Sequence, residues 1–127
     1  MPNKTILIIE DDKFLRDIAV GKLEIEGFKL VSAATGAEAI EYLDKNPRPD
    51  LIVLDLILPG ISGYEVLEKI KQDANLKEIP VIILSNLGQE EDIEKAKKLG
   101  AADYLVKAHF SFAEIIKKIK EVLTTPA

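Results

Sequence analysis

The sequence lacks cysteine and tryptophan, and histidine occurs once among its 127 residues. Without cysteine, a disulfide framework, a thiolate metal site and a cysteine nucleophile are all excluded. Long apolar runs are also missing, because the longest, Leu51–Leu54 continued at Leu56–Leu58, is interrupted by Asp55 and is too short to cross a bilayer. Residues 1–4 lack the apolar core of a signal peptide, so we expect a cytoplasmic protein without membrane insertion.

Basic residues are fewer than acidic ones, and the formal net charge is −5. This balance argues against direct nucleic-acid binding and favours a metal ion or a cationic partner. Apolar residues make up 47% of the chain and charged residues 31%, which is typical of a globular protein. The length predicts one domain over residues 1–127, with a core from about residue 4 to 123 and no output domain.

Short apolar segments and segments with helical spacing alternate along the chain. The apolar runs that predict buried strands are Ile6–Ile9, Leu51–Leu54, Val81–Leu84 and Tyr104–Val106. The alternating segment Phe28–Ala33 predicts a further strand nearer an edge. Unbroken apolar strands indicate a parallel sheet that is covered on both faces. Five βα units therefore predict an α/β, doubly wound, five-stranded parallel sheet with helices on both faces.

The helical segments carry apolar stripes and capping signals. The first stripe consists of Phe14, Leu15, Ile18, Ala19 and Leu23, and Gly27 is expected to end that helix. Thr35 and Ser62 each precede a glutamate by three positions, the pattern of a capping box at a helix start. The fourth helical segment, Gln89–Leu99, is mostly polar, which indicates a thinly anchored element.

Polar side chains follow four of the predicted strands. They are Glu10, Asp11 and Asp12, then Asp55, then Ser85, and finally Lys107. The carboxyl ends of parallel strands meet at one rim, where ligands bind in open α/β sheets. Carboxylates about 4 Å apart repel by about 4 kcal/mol per pair at an effective dielectric constant of about 20. A hard cation such as Mg²⁺ or Mn²⁺ relieves that repulsion.

A magnesium site of this kind favours phosphoryl chemistry. Asp55 could then be a carboxylate nucleophile, while Lys107 would neutralise phosphoryl oxygens and Ser85 would donate a hydrogen bond to one. Each residue also has an ordinary structural interpretation. Asp12 before a helix is more often an N-cap than a metal ligand, and the others could be a solvated acid, an edge lysine and a turn serine.

The same residues, in this order, resemble the receiver domain of two-component response regulators, in the CheY-like, single-domain form. The motifs that carry the resemblance are Ile8–Asp12, Leu54–Gly63, Leu84–Asn86 and Tyr104–Lys107. The resemblance implies the strand order 2-1-3-4-5. The metal ligands it implies are Asp11, Asp55, the backbone carbonyl of Ile57 and, through water, Glu10. The catalytic and switch residues it implies are the phosphoacceptor Asp55, Lys107, the switch hydroxyl Ser85 and the switch aromatic Tyr104.

The function implied by the resemblance is a signalling switch in a phosphorelay, not a dedicated enzyme. Asp55 would take a phosphoryl group from a sensor histidine kinase or a histidine phosphotransfer protein with the help of Mg²⁺ or Mn²⁺, and the domain would catalyse only its own phosphorylation and dephosphorylation. Ser85 would then move toward the phosphate, and Tyr104 would turn inward. The surface of the fourth helix, fifth strand and fifth helix would change for a downstream protein target.

Four positions depart from the usual family pattern. Ala108 replaces a proline that often follows a cis peptide bond, so we expect a trans Lys107–Ala108 bond. Asn86 is bulkier than the usual small residue. Ile57 and Leu87 cannot hydrogen-bond an attacking water, which predicts slow self-dephosphorylation. His109, in the same loop as Ala108, is expected to be solvated or packed in that loop.

Two other function classes compete with the switch. One is an interaction module that keeps the fold and does not use phosphorylation. The other is a flavodoxin-like redox protein or a metal-dependent phosphatase. Acids at residues 10–12 would repel a flavin phosphate, and the candidate nucleophile follows the third strand instead of the first.

Overall fold

The computed structural model describes residues 3–124, in which strands and helices alternate throughout. The strands are β1 (Thr5–Ile9), β2 (Lys29–Ala33), β3 (Leu51–Leu54), β4 (Val81–Ser85) and β5 (Asp103–Val106). The helices are α1 (Lys13–Ile25), α2 (Gly36–Lys45), α3 (Gly63–Gln72), α4 (Glu90–Lys98), a 3₁₀ turn (Lys107–His109) and α5 (Phe112–Thr124). The domain limits predicted at residues 1 and 127, and the first half of the 1–4 segment, lie outside the described residues.

The five strands form one parallel sheet in the order β2-β1-β3-β4-β5. This order and the helices between the strands confirm the predicted doubly wound fold. Strands β1 and β3 are adjacent although α1, β2 and α2 separate them in sequence, and Ile9 pairs with Leu54 at their carboxyl ends. The register therefore brings Glu10 and Asp55, the next residue of each strand, to the same edge of the sheet.

Two hydrophobic cores cover the two faces of the sheet. On one face, Leu7, Leu54 and Ile83 pack with residues of α2, α3 and α4. On the other face, Ile6 and Ile82 pack with α1 and α5. Successive side chains of a strand point to opposite faces, so a strand with helices on both sides buries every residue. This explains the unbroken apolar runs. Within residues 3–124, no helix combines the length and apolar character needed to cross a bilayer.

Side-chain caps fix the starts of the first three helices. Asp12 Oδ1 accepts from the Leu15 N–H at 3.1 Å, and Thr35 Oγ1 accepts from the Glu38 N–H at 3.1 Å. Ser62 Oγ accepts from the Glu65 N–H at 3.3 Å. Such a cap contributes about 1 kcal/mol. The N-cap interpretation of Asp12 and the two predicted helix starts are confirmed.

The position of Phe14 corrects the predicted stripe of α1. We expected this side chain to face the core, but it is 72% exposed. The inner side of α1 is formed by Leu15, Ala19 and Leu23, of which Leu23 is buried. Neighbouring residues of a helix are rotated by about 100° from each other, so Phe14 points away when Leu15 points inward.

Helix α4 is held to the protein by few buried side chains. Of its residues, Ala96 is buried and Ile93 is half-buried. Tyr64 of α3 donates its hydroxyl to Asp92 Oδ1 at 2.8 Å, and Lys95 Nζ lies 4.2 Å from the centre of the Tyr64 ring. Burial, followed by the hydrogen bond to Asp92, raises the pKa of Tyr64. The first turns of α4 are therefore tied to α3 through one tyrosine.

Candidate functional site

An acidic cluster lies where β1 and β3 end. Glu10, Asp11 and Asp55 each place a carboxylate oxygen within 4.8 Å of the others. Glu10 and Asp55 are buried, with 7% and 6% exposure, whereas Asp11 is exposed. The predicted grouping of these three acids at one rim is what the structure shows. Asp12 lies beyond them at the start of α1, where it acts as a cap.

Lys107 joins the two buried acids of the cluster. Its Nζ donates to Glu10 Oε1 at 2.5 Å and to Asp55 Oδ2 at 2.8 Å. Burial alone would lower the pKa of Lys107, but the hydrogen bonds to Asp55 and Glu10 outweigh it and raise that pKa. Burial raises the pKa of Glu10, and the hydrogen bond from Lys107 partly opposes this. One ammonium facing three carboxylates leaves excess negative charge.

Backbone N–H groups orient the remaining carboxylate oxygens. Asp55 Oδ1 accepts from the Ile57 N–H at 3.1 Å, and Glu10 Oε2 accepts from the Asp12 N–H at 3.1 Å. The cluster thus presents oriented oxygen donors with an uncompensated negative charge. Hard divalent cations such as Mg²⁺ prefer this donor type, so the residues present fit a metal ion of that class.

The two predicted switch residues both hydrogen-bond the backbone of Leu87. Ser85 is fully buried, and its Oγ accepts from the Leu87 N–H at 3.3 Å. Tyr104 is 8% exposed, and its hydroxyl donates to the Leu87 carbonyl. Burial, with the nearby charges of Asp92 and Asp55, raises the pKa of Tyr104 to about 12. The ring expected to turn inward on activation is therefore already inside.

The comparison with protein families agrees with this geometry. Residues 6–120 match the model of the response regulator receiver domain. The chain belongs to this family. Over 120 residues it is 38% identical to the phosphate regulon transcriptional regulatory protein PhoB of Escherichia coli, covering 94% of this chain and 52% of PhoB. The receiver domain thus spans about half the length of the curated relatives it matches.

Solved structures show the same fold over nearly the whole chain. A putative response regulator from Chloroflexus aurantiacus has a TM-score of 0.89 at 31% identity, covering 97% of this receiver domain and 99% of that chain. The Mn²⁺-bound form of response regulator Rcp1 has a TM-score of 0.86 at 32% identity, and the match covers 98% of this receiver domain and 97% of Rcp1. The CheY-like fold and the family expected from the motifs are confirmed.

The loop after β5 differs from the usual receiver pattern as the sequence indicated. No cis peptide bond occurs within residues 3–124, so the predicted trans Lys107–Ala108 bond is confirmed. Residues 107–109 form a single 3₁₀ turn, in which His109 is exposed to solvent. Asn86, after β4, is also exposed. The Asn86 side chain lines the same cavity as Glu10, Asp55 and Lys107.

Sequence reasoning missed one contact of the receiver domain's acidic cluster. Arg16 of α1 donates from Nη1 to the carbonyl of Glu10 at 2.8 Å and to that of Asp11 at 3.4 Å. A basic residue in the first turn of the helix that follows the acidic pair was the available signal. By itself that pattern is common on solvated helix faces, so it did not single out Arg16.

Gly63 permits the close approach of α3 to the end of strand β3. A Cβ atom there would lie 2.3 Å from the Asp55 carbonyl oxygen and 2.4 Å from Leu56 Cα. Because both are backbone atoms, either α3 or Asp55 must move. We expect Gly63→Ala to lower the free energy of unfolding by about 1–3 kcal/mol, measured by urea denaturation.

Gly21 provides the matched control for this prediction. It lies inside α1, and apart from its chain neighbours and the backbone of its own helix, no atom of residues 3–124 is within 4 Å of where its Cβ would be. Alanine in an open helical position stabilises by about 0.5–1 kcal/mol relative to glycine. Opposite signs for the two variants are therefore expected, and a Gly63→Ala variant as stable as the wild type would contradict the packing argument.

Proposed function

We propose that this receiver domain is a phosphorylation-dependent switch of a two-component phosphorelay, with Asp55 as the phosphoacceptor. The donor is a phosphohistidine on a sensor histidine kinase or a histidine phosphotransfer protein, and the setting is cytoplasmic. The observation that carries the proposal is the Asp55 carboxylate, which is buried beside two acids and held by Lys107 and the Ile57 N–H. A carboxylate oriented at the rim of the sheet suits nucleophilic attack.

The proposed transfer moves one phosphoryl group between two side chains. A carboxylate oxygen of Asp55 attacks phosphorus as the bond to the histidine nitrogen breaks, and the freed electron pair stays on that imidazole nitrogen, which takes up a proton. Lys107 holds the acceptor oxygen in place and offers positive charge to the incoming group.

The metal ligands in this proposal are the acidic cluster and one backbone group. Asp11, Asp55 and the Ile57 carbonyl would hold Mg²⁺ or Mn²⁺ directly, and Glu10 would act through water. A bound divalent ion supplies positive charge that offsets the phosphoryl oxygens. Support comes from the oxygen-only donor set and from the similar Rcp1 structure, which contains Mn²⁺.

The switching step follows from the charge that phosphorylation adds. An aspartyl phosphate brings about two negative charges to this rim. The Ser85 hydroxyl, which accepts from the Leu87 N–H, has its own proton available to donate toward the new group. Because Tyr104 is bonded to the Leu87 carbonyl, movement of Ser85 would shift the loop that leads into α4. The surface of α4, β5 and α5 would then bind a downstream protein.

The proposal is tested by adding Mg²⁺ with beryllofluoride, a phosphate mimic, and recording amide spectra. We expect shifts at Ser85, Leu87 and Tyr104 in the wild type and none in Asp55→Ala. An unresponsive wild type, or an equal response in the variant, would favour the alternative of a phosphorylation-independent interaction module.

The aliphatic residues beside the site predict a long-lived phosphoryl group. Ile57 is 54% exposed at the mouth, and Leu87 is half-buried. Neither side chain can hydrogen-bond a water molecule that attacks phosphorus. We expect the double variant Ile57→Asn, Leu87→Glu to lose the phosphoryl group faster than the wild type, measured by the decay of label in purified protein. Equal decay rates would contradict this explanation.

A further inference from the structure

We infer that Arg16 is a positioning residue for the acidic cluster, which deepens the proposed function and rests on its metal site. The Arg16 guanidinium bonds the carbonyl groups of Glu10 and Asp11, the two acids contributed by the loop between β1 and α1. Arg16 is itself half-buried on the first turns of α1, where its backbone N–H bonds the Asp12 carbonyl. A donor anchored on a rigid helix can hold a loop, at the cost of the rotamer freedom that the arginine side chain loses.

The contact fixes the peptide group between the two acids. The Glu10 N–H is already bonded to the Ala33 carbonyl of β2 at 3.0 Å, which extends the strand pairing by one residue. The hydrogen bonding between β1 and β2 ends at Glu10, and the Glu10 carbonyl accepts a hydrogen bond from Arg16 instead. Holding both sides of Glu10 sets the plane of the Glu10–Asp11 peptide and therefore the position of the Asp11 Cα. The second bond, from Arg16 to the Asp11 carbonyl, limits rotation about the Asp11 N–Cα bond, on which the direction of the Asp11 side chain depends.

If Arg16 acts only as a nearby charge, its loss changes the Mg²⁺ affinity in one direction. If it is a positioning residue, its loss changes that affinity in the opposite direction. By Coulomb's law, removing a positive charge near a cation site tightens cation binding. Loss of a group that orients the ligands weakens binding, typically by about tenfold or more. The sign of the change in Mg²⁺ affinity therefore distinguishes a positioning residue from a nearby charge.

The experiment compares Arg16→Met with Arg48→Met in the full chain. Arg48 is the other arginine of the sequence, and its Nη1 also donates to a loop carbonyl, that of Asn75 at 3.1 Å. Both variants lose the same charge and the same type of contact, but Asn75 belongs to the loop after α3. Mg²⁺ is titrated into each protein, and amide shifts give the dissociation constant.

We expect Arg16→Met to bind Mg²⁺ about tenfold more weakly than the wild type, and Arg48→Met to bind it equally well. Unchanged or tighter binding by Arg16→Met would overturn the inference, as would equal weakening in both variants.

A second measurement separates this inference from the proposed function. In metal-free protein, we expect the Asp12 amide, which donates to Glu10 Oε2, to exchange faster with solvent in Arg16→Met than in Arg48→Met. Equal exchange rates would overturn the positioning role. A wild type that binds no Mg²⁺ while this difference persists would refute the metal site but not the ordering of the loop by Arg16.

Discussion

The Asp55→Ala variant is expected to accept no phosphoryl group under conditions that phosphorylate the wild type. The neighbouring acids are not expected to replace Asp55, because Glu10 and Asp11 both lie at the end of β1 and Asp11 is exposed there. Neither follows β3, where the Ile57 N–H orients the Asp55 carboxylate. Intact-mass measurement after incubation with acetyl phosphate and Mg²⁺ gives the extent of transfer.

Asp44→Ala is the matched control, since it removes an exposed carboxylate on α2, away from the site. We expect it to be phosphorylated like the wild type. Asp55→Ala should also remain folded, because Lys107 keeps Glu10 as a partner and one source of carboxylate repulsion disappears. Phosphoryl incorporation into Asp55→Ala at the wild-type level would show that another residue is the acceptor.

Lys107→Met is expected to cause a large loss of stability in metal-free protein. It leaves two buried carboxylates, those of Glu10 and Asp55, without the ammonium that joins them. Removing one partner of a buried ion pair costs about 3–5 kcal/mol. Lys120→Met removes an ion pair with Glu26 that has the same 2.5 Å separation at a more exposed site, where the cost is about 0–1 kcal/mol. Urea denaturation of both variants gives the comparison.

The pH dependence of the Lys107→Met defect follows from Glu10. Burial raises the pKa of Glu10 in the folded protein, and loss of Lys107 removes a group that opposes this shift. A carboxyl group with a raised folded pKa favours the folded state most at pH values below its unfolded pKa, and this contribution is lost as the pH rises. The loss of unfolding free energy caused by Lys107→Met should therefore become smaller in mild acid. Equal losses of unfolding free energy in Lys107→Met and Lys120→Met at neutral pH would contradict the role of Lys107 as the stabilising partner of two buried carboxylates.

The features that the sequence predicts well are local or periodic. Thr35 and Ser62 cap helices because the bonding pattern spans three residues of contiguous chain. The parallel sheet follows from apolar runs such as Leu51–Leu54, which is buried at every position. Grouping of Asp55 with Glu10 follows once both are placed at the carboxyl ends of neighbouring strands.

The features that the sequence does not predict depend on side-chain direction. Phe14 and Leu15 are both apolar neighbours, and only the packing of α1 decides which one faces inward. The bonds of Ser85 and Tyr104 to Leu87 depend on rotamers and on the path of the loop after β4. Arg16 bonds backbone carbonyls, which every residue possesses, so no pairing of residue types marks that contact.

The ion pair between Lys107 and Glu10 joins residues 97 positions apart, and that between Lys107 and Asp55 joins residues 52 apart. During synthesis the three acids leave the ribosome well before the lysine that neutralises them. A nascent chain that ends before β5 would therefore carry the carboxylates without their ammonium. Any ligand that binds the assembled cluster draws the chain toward the folded state by mass action. The repulsion between the two buried acids is therefore relieved by Lys107 only when the last strand has joined the sheet.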